Sequence, residues 1–152
     1  MWTINTMKQD EAMEIADLWK YPEPYSFYNL TEDIEDYNEI IDPNEREDRF
    51  FSIQEDKTLI GYFCIEMSNN SVSLGLGMKP DLTGNGKGKE FLTYIIKFIK
   101  NKYNVKKITL SVADFNTRAF KVYRNSGFVV TGESENQSNG GVYNFINMEK
   151  YL

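Results

Sequence analysis

The sequence predicts an α/β protein in which four helices accompany one sheet of seven strands of mixed direction. Short runs of aromatic and β-branched residues alternate with segments of helical periodicity, which indicates both kinds of element. The length of 152 residues fits one domain, expected over residues 1–152. With 41% hydrophobic and 14% aromatic residues the chain can fill one core, which excludes the disordered and fibrous classes.

The first half of the chain predicts two helices and four strands. A strand over residues 2–6 precedes a helix for which Asp10 is the expected N-cap. Prolines in the aromatic segment 21–28 exclude a continuous helix there, and Thr31 is expected to cap a second, acidic helix that ends near Ile41. Three further strands follow, separated by turn residues, over residues 49–54, 59–67 and 71–78.

The second half predicts two helices and three strands. The clearest helix covers residues 86–103, where apolar side chains recur every three or four positions: Phe91, Leu92, Ile95, Ile96, Ile99 and Tyr103. A strand over 107–112 precedes a short helix over 117–125, which Asn116 is expected to cap and Gly127 to end. Two closing strands, over residues 128–133 and 142–148, are expected to form a hairpin around the polar loop 134–141.

The scarcity of two residue types limits the possible chemistry. The sequence contains no histidine and a single cysteine, Cys64. Histidine-based nucleophile pairs, histidine metal ligands and a cysteine-rich zinc site are therefore excluded, and no metal is expected. Cys64 lies in an apolar strand, which favours an inert thiol over an acyl-carrying nucleophile.

Sequence features also bear on where the protein acts. A lone cysteine is typical of a reducing compartment, and the sequence shows neither a secretory signal nor a run of roughly 20 apolar residues. We therefore expect a cytoplasmic protein without a membrane partner. The composition does not distinguish a monomer from a homodimer.

Charge is distributed unevenly along the chain. The formal net charge of −6 argues against nucleic acid as a partner. Residues 1–48 carry 14 acidic and 3 basic residues, a net charge of −11, whereas residues 79–124 carry 11 basic and 3 acidic residues, a net charge of +8. The two stretches are suited to a cation and an anion respectively, unless both are solvated surfaces.

Three alternate glycines, Gly84, Gly86 and Gly88, connect the predicted strand 71–78 to the long helix. Glycines there allow a tight turn and bring successive backbone N–H groups toward an anion at the positive end of the helix. The alternative is an ordinary glycine-containing turn. A Walker A motif is excluded because no Ser or Thr follows Gly86-Lys87, and a dinucleotide fingerprint fails on its spacing and on the missing acidic residue.

Two separated motifs carry a resemblance to a known family. Thr83-Gly-Asn-Gly-Lys-Gly88 is similar to motif A of the Gcn5-related N-acetyltransferases (GNATs), with Thr83 in place of the usual Gln or Arg. Downstream, Asn116-Thr-Arg-Ala119, Tyr123 and Gly127-Phe128 resemble motif B of that family. The chain thus resembles a bacterial-type, single-domain GNAT protein. The resemblance implies a mostly antiparallel mixed sheet whose fourth and fifth strands splay apart.

This resemblance implies that acetyl-coenzyme A is the cosubstrate. Its pyrophosphate would bind to backbone amides of the glycine segment, and its pantetheine arm would pair with the end of the fourth strand. Asn116 could hydrogen-bond that arm, although a capping role alone would explain it. The implied cofactor-binding residues are Leu76, Gly77, Met78, Thr83, Gly84, Asn85, Gly86, Lys87, Gly88, Lys89 and Asn116.

The implied reaction is direct attack of an amine on the thioester in a ternary complex. Tyr123 matches the family position whose hydroxyl protonates the leaving thiolate. The general base stays open, because the fourth strand of this chain contains no acidic residue. Glu66, Asp114 or a tyrosine could take its place.

The acceptor is expected on the side of the first two helices. Five acidic residues there, Glu23, Glu32, Asp33, Glu35 and Asp36, could attract a cationic amine. Tyr25, Phe27 and Tyr28 could line its pocket, or could fill space between helix and sheet. The acceptor could be a small molecule, such as a polyamine, an antibiotic or a metabolite, or a peptide or protein N-terminus. The alternative function is a non-catalytic sensor that binds acetyl-coenzyme A.

Overall fold

The computed structural model describes residues 2–138 and 141–152. Within them, seven strands form one sheet in the order β1-β2-β3-β4-β5-β7-β6. The strands are β1 (Trp2–Thr6), β2 (Phe50–Glu55), β3 (Thr58–Ser68), β4 (Ser71–Met78), β5 (Lys107–Ala113), β6 (Val129–Ser138) and β7 (Gly141–Tyr151). The α-helices are α1 (Gln9–Leu18), α2 (Ile34–Ile41), α3 (Pro43–Arg46), α4 (Gly88–Lys102) and α5 (Thr117–Asn125). Short 3-10 helices cover Tyr25–Tyr28, Leu30–Glu32 and Pro80–Leu82.

The sheet is mixed, as predicted. Strands β1 and β2, β2 and β3, β5 and β7, and β6 and β7 pair antiparallel. Strands β4 and β5 pair parallel, but only from Ser71 opposite Lys107 to Ser73 opposite Thr109. Beyond Thr109, β5 continues to Ala113 in register with β7 alone. The two central strands therefore part after three residue pairs, which confirms the predicted splay.

The chain divides into two compact units. The first comprises the chain up to Cys64 together with Leu76–Leu82. Its core is an apolar cluster from α1 and the residues that flank it, from α2 and from the β2–β3 hairpin, formed by Met7, Ala12, Ile15, Ala16, Trp19, Ile40, Phe50 and Leu59. Cys64 is half-buried beside this cluster, in keeping with a packing role.

A buried polar network stabilises the first unit. The carboxylate of Glu11 accepts hydrogen bonds from the backbone N–H of Lys8 (2.9 Å), the hydroxyl of Ser52 (2.9 Å) and the amide of Gln54 (2.8 Å). Ser52 is fully buried, so its hydroxyl depends on this acceptor. Glu11 thus joins the first turn of α1 to β2.

The second unit comprises Ile65–Gly75 and Thr83–Leu152. The predicted apolar face of α4 is confirmed, since Phe91, Leu92, Ile95 and Ile99 are all buried. Helix α4 begins at Gly88 rather than at residue 86. The N-terminal glycines therefore belong to the preceding loop.

Two predicted helix caps are wrong. Helix α1 begins at Gln9, and the side chain of Glu11 rather than Asp10 satisfies the backbone N–H of Lys8. Helix α2 is capped by Asp33, whose carboxylate accepts from the N–H groups of residues 35 and 36 at 3.1 and 3.2 Å. Thr31 lies in a 3-10 helix, where its hydroxyl accepts a hydrogen bond from Lys20. Acidic residues at consecutive positions compete for the cap, and tertiary packing decides among them.

The helix α3 and the length of the last hairpin were not predicted. Asp42 caps α3 by accepting from the N–H of Asn44 at 2.9 Å. Strands β6 and β7 extend through most of the predicted loop 134–141 and pair up to Ser138 opposite Gly141. Residues 139–140 lie outside the described part of the chain. The polar segment becomes a strand because β7 supplies backbone partners that propensity alone does not reveal.

No helix within residues 2–138 and 141–152 is long and apolar enough to cross a membrane. The single domain over residues 1–152, the cytoplasmic location, the lack of a nucleic-acid partner and the choice between monomer and homodimer stay predictions from the sequence.

We expect Glu11→Ala to lower the free energy of unfolding by about 2–3 kcal/mol, because it leaves the buried hydroxyl of Ser52 without its acceptor. Asp10→Ala in the same helical turn should cost only about 0.5 kcal/mol, because Asp10 is exposed and contributes through the helix dipole alone. Urea denaturation measures both changes. Equal losses for the two variants would contradict the assignment of Glu11 as the anchoring residue.

Candidate active site

The loop before α4 has the conformation that its glycines allow. Gly84 and Gly86 have φ angles of +76° and +78°, in the left-handed region that side chains rarely adopt. No heavy atom lies within 4 Å of the position that a Cβ at Gly86 would occupy. The residues from Gly84 to Lys87 are exposed. The loop is therefore a tight turn with an open outer side, rather than a turn buried by its neighbours.

Helix α4 begins at the end of this loop with an uncapped N-terminus. The N-cap residue, Lys87, makes no side-chain cap hydrogen bond. The first N–H groups of any α-helix lack intrahelical partners, so this end offers donors and a partial positive charge to an anion. Gly88 also allows close packing, since a Cβ there would lie 3.1 Å from Cγ2 of Val122 on α5.

Helix α5 carries the second motif. Asn116 caps it as predicted, because its side-chain oxygen accepts from the N–H of Ala119 at 3.2 Å. Gly127, with a φ of +97°, follows the end of the helix, also as predicted. Tyr123 is half-buried, and its ring centroid lies 6.0 Å from that of Phe128. Both this helix and the glycine loop belong to the second unit.

The end of β4 is covered by two tyrosines of the first unit. A Cβ at Gly77 would lie 2.5 Å from Cε1 of Tyr62, so the Tyr62 ring occupies the space that a larger residue would need. The hydroxyl of Tyr21 donates to the carbonyl of Met78 at 2.7 Å. Glycine at position 77 is thus required by packing of the chain itself, whether or not a ligand approaches its backbone.

Acidic and aromatic side chains of the first unit lie near these tyrosines. Burial raises the pKa of Tyr62 well above its usual value, with smaller contributions from Tyr21, Cys64 and Asp36, so this phenol is neutral at physiological pH. The ring of Trp19 lies 6.1 Å from that of Tyr62, tilted by 52°. Sequence reasoning missed Tyr62, because only the fold brings β3 against Gly77.

Asp36 has an altered acidity. Partial burial, followed by the carboxylates of Asp33, Glu39 and Glu35, raises the pKa of Asp36 to about 6. Asp36 as a residue is nonetheless exposed to solvent. At neutral pH Asp36 is therefore ionised and able to pair with a cation.

The aromatic residues predicted to line an acceptor pocket lie in one 3-10 helix, Tyr25–Tyr28. Tyr25, Phe27 and Tyr28 are half-buried, and the rings of Phe27 and Tyr28 pack edge-to-face at 5.2 Å. Glu23 accepts a hydrogen bond from Ser26 within this segment. A role for these residues in binding an acceptor stays a prediction.

The two carboxylates proposed as general bases are both exposed. Glu66 lies on β3, and Asp114 follows β5. The backbone N–H of Asp114 donates to the carbonyl of Asn144 at 3.0 Å. The side-chain amide of Asn144 lies 3.5 Å from the carboxylate of Asp114 and 2.8 Å from the carboxylate of Glu133. Asp114 thus takes part in the polar edge of the β5–β7 pair. Among residues 2–138 and 141–152, no group of three or more His, Cys, Asp or Glu side chains is arranged to hold a metal ion.

Comparisons with known proteins agree with this architecture. A protein-family model described as "Acetyltransferase (GNAT) domain" matches residues 4–144. A spermidine N-acetyltransferase SpeG chimera from Vibrio cholerae and hSSAT has 25% identity and a TM-score of 0.73, with 99% of this chain and 95% of that one covered. An aminoglycoside acetyltransferase, AAC(6')-Ib, in complex with coenzyme A has 15% identity and a TM-score of 0.75, with the same coverage.

A third solved structure extends this range. The ribosomal-protein alanine N-acetyltransferase from Escherichia coli has 17% identity and a TM-score of 0.72, with 100% of this chain and 94% of that one covered. A search of curated protein sequences finds no match. This chain therefore shares its fold with these enzymes over nearly the whole length of each compared chain.

Asp36 provides a test of the acidic surface. A carboxyl whose pKa is raised on folding stabilises the protein fully below its unfolded pKa of about 4, and this contribution is lost as the pH rises through about 6. Asp36→Asn removes the penalty, so it should raise stability at pH 7, by less than about 1 kcal/mol because solvent screens the site. It should leave stability nearly unchanged at pH 4.

Urea denaturation at the two pH values measures this difference, with the exposed Asp48→Asn as a control for the loss of one negative charge. A gain at pH 7 that Asp48→Asn reproduces would show a general charge effect instead of a local one.

Proposed function

This chain belongs to the GNAT family of acetyltransferases, and from that premise we propose that it transfers an acetyl group from acetyl-coenzyme A to a primary amine. The observation that carries the proposal is the glycine loop. Its left-handed glycines leave an open side next to the uncapped start of α4. Such a loop suits the pyrophosphate of coenzyme A, because consecutive N–H groups and the helix dipole both favour a compact anion.

Charge supports the same assignment. The loop lies within residues 79–124, whose net charge is +8. Coenzyme A carries a pyrophosphate and a 3′-phosphate, so a positive surface attracts it and speeds its association. Thr83, Asn85, Lys87 and Lys89 flank the three glycines and complete the proposed phosphate-binding segment. Leu76, Gly77 and Met78 are proposed to contact the pantetheine arm through their backbone.

In the proposed reaction the neutral amine attacks the thioester carbonyl carbon. A C–N bond forms, the C–S bond breaks, and coenzyme A leaves as a thiolate. We assign the proton for this thiolate to the hydroxyl of Tyr123, which solvent then reprotonates, while the amine proton passes to a base or to water. Asn116 holds the first turn of the helix that carries Tyr123. The base is left among Glu66, Asp114 and a tyrosine.

A cationic amine is the proposed acceptor. Residues 1–48 carry a net charge of −11, and Asp36 within them is ionised at neutral pH. Spermidine and aminoglycosides, the compounds in the names of two similar structures, each carry several amino groups. The half-buried rings of Tyr25, Phe27 and Tyr28 add aromatic groups of the kind that bind ammonium ions. We propose that acidic and aromatic residues of the first unit select such an acceptor.

The proposal is tested by incubating the protein with acetyl-coenzyme A and a panel of polyamines, aminoglycosides and peptides while free thiol is monitored. We expect amine-dependent thiol release that Gly86→Val abolishes, since Val disfavours a positive φ and fills the open side of the loop. Gly132→Val is the matched control, because a Cβ there also meets no atom within 4 Å. Tight binding of coenzyme A without thiol release across the panel would instead favour a sensor.

Tyr123→Phe tests the general acid. The substitution keeps the ring beside Phe128 and removes only the hydroxyl, so stability and coenzyme A affinity should barely change. With chemistry rate-limiting, kcat should fall tenfold or more, about 1.4 kcal/mol in the barrier. Tyr94→Phe, on α4, controls for the loss of a hydroxyl elsewhere. A steady-state kcat within twofold of the wild-type value, while single-turnover measurements show that chemistry is limiting, would reduce Tyr123 to a packing residue.

A further inference from the structure

The side chain of Tyr21 is bound to the end of β4. Its hydroxyl donates to the carbonyl of Met78 at 2.7 Å. The backbone N–H of Tyr21 donates to the side-chain oxygen of Asn29, also at 2.7 Å, and Asn29 is buried. All three residues belong to the first unit. Tyr21 is therefore held both through its hydroxyl and through its backbone, which fixes the position of the phenol oxygen.

The peptide group between Met78 and Lys79 shows which way this carbonyl points. The N–H of Lys79 donates to the carbonyl of Ile60, on β3, at 2.8 Å. The C=O and N–H bonds of a trans peptide point in opposite directions, so the carbonyl of Met78 points away from β3. The neighbour of β4 on that side is β5, which pairs with it only as far as Ser73. The Tyr21 hydroxyl thus lies at this edge of β4, beyond the last residue pair.

The bond to Met78 determines what the phenol can offer to a further group. A phenol has one proton to donate, and Tyr21 donates it to this carbonyl. Burial raises the pKa of Tyr21, so the hydroxyl keeps its proton at physiological pH and does not act as a general base. The lone pairs of its oxygen are left to accept a hydrogen bond. Tyr21 and Met78 are both half-buried, so this part of the strand keeps contact with solvent.

We propose that Tyr21 orients the acceptor by accepting a hydrogen bond from the N–H of its attacking amine. The inference rests on the proposed function, since it names a residue that holds the same amine. A neutral amine attacks through its nitrogen lone pair, so its N–H bonds need acceptors that leave this lone pair directed at the thioester carbon. A hydroxyl with an unused proton would donate to the lone pair and weaken the nucleophile. The bond from Tyr21 to Met78 prevents that, because it engages the proton.

Tyr37 provides a matched reference for a tyrosine whose hydrogen bond is structural. Its hydroxyl donates to the carboxylate of Asp17 at 2.7 Å, the same distance as in the bond from Tyr21. This bond joins α2 to α1 within the first unit. Loss of either hydroxyl removes one hydrogen bond of similar geometry, but only Tyr21 lies at the end of β4.

Steady-state kinetics and calorimetry on the intact protein test the proposal. The probe amine is spermidine, or the amine of the panel that releases thiol fastest if spermidine does not react. Tyr21→Phe should lower kcat/KM for the amine about tenfold, the loss expected for one hydrogen bond to the substrate. Its affinity for coenzyme A should stay within twofold of the wild-type value. Tyr37→Phe should change neither quantity more than twofold.

Three results would overturn the proposal. A kcat/KM for the amine within twofold of the wild-type value in Tyr21→Phe would refute the role of Tyr21 and leave the proposed function intact. A loss of coenzyme A affinity in Tyr21→Phe would show that the hydrogen bond shapes β4 for the cofactor instead. No thiol release by the wild type with any amine of the panel would refute the proposed function together with the inference. Thermal melting verifies that both variants are folded at the assay temperature.

Discussion

The short parallel pairing of β4 with β5 is the constraint on which the rest of the structure depends. Parallel neighbours cannot be joined by a tight turn, so the chain must cross over through α4 before it returns as β5. The ladder ends at Ser73 and Thr109, after three pairs. The glycine loop follows the free end of β4 and leads into the uncapped start of α4. In the proposed function, backbone groups of this loop are therefore the principal elements that bind the phosphates.

The sequence contains no histidine, and the described residues form no metal-binding cluster. Acetyl transfer does not require either of them. Acetyl transfer from a thioester needs a positioned amine and a stabilised leaving thiolate more than a strong nucleophile on the protein. Binding energy for the positioning can come from phosphates remote from the reacting carbon. In the proposed function the positive stretch 79–124 binds coenzyme A and the negative stretch 1–48 attracts the amine.

Local signals predicted much of the fold and part of the site. The periodic apolar face of α4, the Asn116 cap and the stop at Gly127 depend on residues within a few positions, and the structure confirms them. The caps at Asp10 and Thr31 were wrong because several acidic or hydroxyl residues compete within one segment. Strands β6 and β7 exceeded their predicted length because pairing, not hydrophobicity, keeps them extended.

The contacts missed from the sequence all join distant positions. Tyr62 meets Gly77 across neighbouring strands, and Arg118 meets Gly84 between a helix and a loop. The raised pKa of Asp36 depends first on the burial that tertiary packing of α2 brings, and only then on the neighbouring carboxylates. Periodicity and spacing carry no information on such contacts, so the residues that tune a site are harder to find than the motif that marks it.

The central claim is that the glycine loop binds the pyrophosphate through its backbone, and amide NMR tests it most directly. On titration with coenzyme A, the ¹H–¹⁵N signals of Gly84, Gly86 and Gly88 should shift strongly, and pantetheine, which lacks the phosphates, should not reproduce these shifts. Signals of Gly132, on the edge strand β6, should stay in place. Saturable coenzyme A binding that leaves the three loop glycines unshifted would contradict the account.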